Sequence, residues 1–213
     1  METLASFFRD GGMFMYFILG TVVIGISIMV ERGIVLLFRY NIDARTLWNR
    51  VSKFIEDGNV EKAKILCKNS SAPLLKILYT GISVSHGSER DIQSAIDEVA
   101  LEIVPAIDKR VSYLSTLANI ATLLGLLGTI QGLIQAFAAV GAADPSQKAL
   151  LLANGISVAL YTTAFGLIAA IPMLVGYTVL QAKAHRLIDE IDEFSVKLIN
   201  LLNSRRKSGL QTQ

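Results

Sequence analysis

The chain has 213 residues, 52% hydrophobic and 18% charged, with a formal net charge of +2. Soluble domains carry roughly 25% charged residues, whereas Lys, Arg, Asp and Glu are absent here from 111–143 and from 149–182. That pattern excludes a soluble single-domain enzyme. No basic run stands beside stacking aromatics, so nothing points to nucleic acid. Cys67 is the only cysteine, which excludes an internal disulfide, a CxxC redox pair and a cysteine zinc site.

Residues 1–12 read as a short leader on the outer, periplasmic side. Leu4, Phe7 and Phe8 fall at i, i+3 and i+4, the spacing of an amphipathic turn lying on a membrane surface. A first span is expected over 13–38. Gly11–Val30 is uncharged and is followed by Glu31-Arg32 and a further apolar stretch, Gly33–Phe38. Twenty helical residues cover about 30 Å, one crossing of a bilayer core. A signal peptide is the competing reading, but it would begin with a basic region and have an apolar core of roughly 7–15 residues. Glu2, Arg9 and Asp10 and the longer core favour a retained span.

Residues 39–110 hold eleven basic and ten acidic residues, and their periodicity is helical throughout. Leu47, Val51, Phe54 and Ile55 form one stripe, closed by Asp57-Gly58-Asn59. Val60–Lys68 sets Ala63, Leu66 and Cys67 on one face. Ser70-Ser71-Ala72-Pro73 breaks the chain, and Pro73–Val84 begins a third helix at a proline. Ser88-Glu89-Arg90-Asp91 has the form of a capping box. From there one helix is expected to run from about 88 to 140, kinked at Pro105. Trp48 reads as core of these helices, and His86 and His185 as surface residues. No metal site and no cofactor are expected.

The second span is expected over 111–140 and the third over 149–180. A short periplasmic loop, 141–148, joins them through Gly141-Ala142-Ala143-Asp144-Pro145-Ser146. The third helix should continue into a tail, 181–213, on a heptad-like stripe of Leu187, Ile191, Phe194, Leu198 and Leu201. Lys and Arg near the membrane ends number nine on one side and two on the other, which sets the N-terminus out and the C-terminus in. The fold class is therefore all-α and integral to the membrane. Three transmembrane helices extend into a cytoplasmic helical collar.

Small residues recur along both later spans: Ala121, Gly125, Gly128, Gly132 and Ala136, then Gly155, Ala159, Thr163, Gly166 and Ala170. Such stripes let membrane helices approach closely, either within the hairpin or between copies. Thr129, Thr162 and Thr163 are the polar residues that suit a hydrated or partner-facing surface. Neither span carries an ionisable group, and a proton relay needs one. Any proton transport would require a partner that brings a carboxylate.

Leu123-Leu124-Gly125-Leu126-Leu127-Gly128-Thr129-Ile130-Gln131-Gly132 resembles the second-span signature of the MotA/TolQ/ExbB proton channel family. Thr163-Ala164-Phe165-Gly166-Leu167-Ile168-Ala169-Ala170-Ile171-Pro172 resembles its third-span signature, and Glu31-Arg32 is similar to the family's pattern after the first span. Three spans match the ExbB/TolQ branch. The resemblance implies a non-enzymatic subunit of the bacterial inner membrane, a homopentamer around two copies of an ExbD/TolR-like single-span partner. That partner's intramembrane Asp would take and release the proton. Thr129 and Thr163 would face it, and Gly125, Gly128 and Gly132 would permit the close approach. The implied work is energised transport, envelope maintenance or gliding. Val158 stands where many relatives carry a glutamate. The alternative is an oligomeric scaffold or permease-like component with no ion flux.

Overall fold

A computed structural model describes residues 12–68 and 72–210, the last four of these as backbone alone. The amphipathic turn expected over 2–9 and the Ser70-Ser71 step lie outside the described residues. The described elements are helical: α1 (Phe14–Ile34), a π-helical turn (Val35–Arg39), α2 (Ala44–Glu56), α3 (Val60–Lys68), α4 (Pro73–Ser83), α5 (Glu89–Asp108), α6 (Val111–Ala142) and α7 (Lys148–Leu210). Three stretches, containing α1, α6 and α7, are long and apolar enough to cross a membrane. This is an all-α, three-span membrane protein.

The chain divides into two compact units: residues 1–31 with 110–179, and residues 32–109 with 180–213. In the first unit α6 and the first half of α7 form a hairpin, against which α1 packs. Its core is small: Ala118, Ala121, Ala169 and Ala170 with Ile18 and Met173. Two methionines act as knobs over glycines, Met173 over Gly25 and Met29 over Gly176. Large side chains on the outer faces, among them Val23, Leu123, Ile134 and Ile168, are more than half exposed, as lipid-facing residues must be.

The second unit has a water-type core. Ile55, Ile77, Leu78, Ile82, Ile92, Ile107 and Phe194 are all essentially inaccessible. Asp43 caps α2 by accepting from the Thr46 N–H at 3.1 Å. Gly58 takes φ +89° and turns the chain from α2 into α3. Both halves of the Ser88–Asp91 capping box form at the start of α5. Trp48 is half-buried, its ring centroid 5.6 Å from that of Phe194.

One expectation fails. The helix read as continuous from 88 to 140 is two helices, because Lys109 is extended and Arg110 sits in the left-handed region at φ 65°. Pro105 is tolerated inside α5, and the break comes after it. A non-glycine residue in that region costs roughly 1–2 kcal/mol. Arg110 offsets part of this by reaching Glu31 at 2.9 Å. The third helix, in contrast, is unbroken over Lys148–Leu210 despite Pro172.

Candidate functional site: a hydroxyl pair in the α6/α7 hairpin

The α6/α7 contact is made of backbone. A Cβ on Gly166 would lie 2.8 Å from the Ala121 carbonyl oxygen and 3.0 Å from the Gly125 Cα. One on Gly125 would lie 3.2 Å from the Gly166 Cα, and one on Gly132 3.0 Å from the Ala159 Cβ. Gly128 lies under the Thr162 side chain, and Gly155 under Ala136. Lipid tails are as apolar as leucine, so association in a bilayer depends on this kind of close contact rather than on expelling water. All five glycines singled out from the sequence lie in this contact.

Such closeness brings two threonines together across the hairpin. Thr129 and Thr163 are half-buried, and their hydroxyls are hydrogen-bonded to each other. Each also reaches the Gly125 carbonyl oxygen, at 3.1 Å from Thr129 and 3.0 Å from Thr163. A hydroxyl has one proton and two lone pairs. Two protons thus serve three contacts, so one hydroxyl can turn away from its neighbour while the Gly125 carbonyl stays served. The pair can donate to a carboxylate or accept from a carboxylic acid. It cannot take up a proton itself, and no ionisable Asp, Glu, Lys, Arg or His lies in 111–143 or 149–182.

Thr162 is placed differently from its neighbour. It is 1% exposed, packs on Gly128, and donates to the Val158 carbonyl at 2.9 Å. Adjacent residues on a helix point about 100° apart, so one faces into the hairpin and the other toward its flank. Val158 is half-buried beside a cavity of about 70 Å³ lined by Gly128, Gln131, Gly132, Gln135 and Thr162, with Gly12–Phe14 closing one side.

Two features were not anticipated from the sequence. The first is the shared Gly125 carbonyl, which no sequence signal marks. The second is the Glu31–Arg110 pair, half-exposed on both sides. A signal for it existed, since an acidic residue ends the first apolar run and a basic one precedes the second.

The family model described as the MotA/TolQ/ExbB proton channel family matches residues 69–193. A putative biopolymer transport protein ExbB homolog of Methanothermobacter thermautotrophicus is 27% identical over 91% of this chain and 67% of its own length. The biopolymer transport protein exbB1 of Vibrio cholerae is 41% identical over 41% of this chain and 38% of its own. The Tol-Pal system protein TolQ of Haemophilus influenzae is 34% identical over 66% of this chain and 58% of its own. The chain spans about two thirds or less of the length of these relatives. The match covers α6, where Gly125, Gly128, Thr129 and Gly132 lie, and the part of α7 that carries Thr163 and Gly166, and with it the chain belongs to the MotA/TolQ/ExbB proton channel family.

Proposed function

We propose that this chain is the channel subunit of a stator that converts a proton gradient into mechanical work. In this reading five copies surround two copies of a single-span protein whose membrane helix carries an aspartate. The complex sits in the inner membrane, with 39–110 and 181–213 in the cytoplasm and 1–12 and 141–148 outside. The work would be energised transport, envelope maintenance or gliding. Thr129 and Thr163 hydrogen-bond the aspartate as it passes from one subunit to the next. Thr162 holds α6 against α7 behind them, and Val158 leaves the neighbouring cavity without a carboxylate. Each proton crossing the membrane delivers about 2.3 kcal/mol per 100 mV.

The observation that carries this reading is the hydroxyl pair. Its two hydroxyls share one carbonyl, between two stretches, 111–143 and 149–182, that contain no Asp, Glu, Lys, Arg or His. A site built this way stabilises a charge that another chain brings and does not titrate on its own. The same hydrogen bonds support a second reading, a non-conducting scaffold, because in it the hydroxyls serve only to pin the two helices.

Proton uptake by vesicles holding the complex, co-purified with its partner, separates the two. A hydrogen bond to a charged group is worth about 1.5–3 kcal/mol, so Thr129→Val and Thr163→Val should each slow uptake roughly 10- to 100-fold. Serine at either position should restore most of it. Wild-type flux in both valine variants removes the pair from conduction. A complex that assembles with its partner and passes no protons leaves the scaffold.

A further inference from the structure

In the charged unit α4 lies between two other helices, packed on α3 and on α5. Most of α4 is buried, but Lys76 is exposed and Tyr79 and Thr80 are partly so. These three line a groove of about 370 Å³ together with Cys67 and Lys68 of α3 and Val99 of α5. Its surface is mainly apolar, and its edge is basic. Lys68 and Lys76 are exposed on its walls, and the Lys64 Nζ stands 5.7 Å from the centre of the Tyr79 ring. Among the described residues, none of these three lysines is in an ion pair.

On another side α5 presents the opposite chemistry. Asp97, Glu98, Leu101, Pro105 and Asp108 are all exposed, and the other four fall within about 60° of Leu101 around the helix. Ser94 and Arg90 continue this face toward the start of α5, and the buried Ile92, Ile96, Ile103 and Ile107 occupy the far side. Leu101 is 78% exposed. A single exposed leucine means little, but this one has Pro105 a turn away and three carboxylates around it. None of those carboxylates is in an ion pair among the described residues, whereas Glu190 and Glu193 of the same unit are paired with Arg186 and Lys197. Val99 lines the groove, and Leu101, two residues on, points about 160° away from it. A chain therefore cannot seat its own leucine in its own groove.

We propose that the Leu101 face of α5 docks into the groove over α4 of a second copy of this chain, with its carboxylates against Lys64, Lys68 and Lys76. An apolar centre inside a charged rim is the anatomy of a protein interface. The opposite signs fix the register and disfavour groove on groove or face on face, where like charges would meet. Each copy offers one surface to one neighbour and the other surface to the next, so the contact is heterologous and repeats until a ring closes. Exposed charge pairs contribute little individually, so this contact orients neighbouring charged units more than it holds them together. That the ring has five members rests on the stator reading, but the meeting of the two faces does not.

The test is disulfide trapping in the full chain, in native membranes with its partners. Cys67→Ala first removes the native thiol. Leu101→Cys is then combined with Thr80→Cys and oxidised with copper phenanthroline. The pair should give a ladder of dimers, trimers and larger species on a non-reducing gel, and either cysteine alone should stay monomeric. No ladder overturns the proposal, and so does a dimer from Leu101→Cys alone as abundant as that from the pair. Charge reversal reads the rim. Lys68→Glu with Lys76→Glu, or Asp97→Lys with Glu98→Lys, should each lower the trapped fraction roughly three- to tenfold. All four changes together should bring it back to within about twofold of the unreversed pair. A combined variant trapped no better than either half overturns the facing of these charges. The cysteine pair alters no charge, so its result stands even where a reversed variant fails to fold. Threonine-dependent flux without a ladder removes this contact alone, and a ladder in a complex that passes no protons removes the stator reading alone.

Discussion

The two units of this chain are both helical and are held together by opposite means. In the unit of α2–α5 and the end of α7, the inaccessible positions are large: Phe194, Ile55, Ile77, Leu78 and Ile82. In the unit of α1, α6 and the start of α7, the tightest positions are glycine, alanine and threonine, and leucines and isoleucines face outward. The difference follows from the solvent. Water drives apolar side chains inward by roughly 25 cal/mol per Å², so a core in water gains from size. Lipid offers no such drive, so a contact in lipid gains from nearness.

That contrast can be broken most forcefully in the charged unit. Phe194 is 2% exposed and lies beside Trp48. Phe194→Ala should cost about 3–5 kcal/mol, read as a lower melting temperature of the full chain in detergent. A near-neutral result would mean that this core is not packed as described.

A matched pair of smaller changes sharpens the comparison, because each adds one methyl group to a helical glycine. At Gly166 the new Cβ would meet backbone, the Ala121 oxygen at 2.8 Å and the Gly125 Cα at 3.0 Å, so the helices themselves must part. Gly166→Ala should cost about 1–3 kcal/mol of overpacking or more, read as a lower melting temperature of the full chain in detergent. At Gly81 the obstacles are side-chain ends, Leu198 Cδ2 at 2.7 Å and Ile96 Cδ1 at 3.0 Å. These can turn aside, and alanine gains about 1 kcal/mol in helix propensity. Gly81→Ala should leave the melting temperature almost unchanged. Equal penalties at the two glycines would erase the distinction between the units.

Much of this was legible from residues whose meaning is local. Charge-free runs declared the spans because no other solvent tolerates them, and Asp144-Pro145 marked the hairpin turn. Small residues at three- and four-residue spacing named the packing face. What stayed hidden depends on distant partners. Arg110 breaks α5 from α6 at a place without glycine or proline, and its side chain meets a residue 79 positions away. Pro105, the local signal for a break, is absorbed. At the site, residue type and spacing offered Thr162 and Thr163 as equals, and only the family resemblance set Thr163 apart. Only the register of α7 on α6 turns one onto Gly128 and the other toward Thr129.

The smallest expected effect concerns the charged unit's dependence on water and pH. At the start of α5 the Ser88 side chain and its backbone N–H, the latter at 2.7 Å, both bond the Asp91 carboxylate. With Arg206 nearby, they hold Asp91 below the ordinary carboxylate value of 3.8. A depressed value in the folded state means that the contribution is present above the unfolded value, and it is lost as pH falls through the folded one. Hydrogen exchange of amides 89–92 reads this locally. Asp91→Asn should exchange faster than wild type at pH 7, and the ratio should shrink toward one below pH 3.8 as the wild-type carboxylate takes up its proton. Ser88→Ala removes the acceptor for the Asp91 N–H and should cost about 1 kcal/mol at the cap, at low pH as well as neutral. The first turn of α6 has no side-chain cap and no carboxylate, so its exchange should not follow pH in this way. A pH-dependent ratio at 111–114 as large as that at 89–92 would mean that the two units do not differ in how their helices begin.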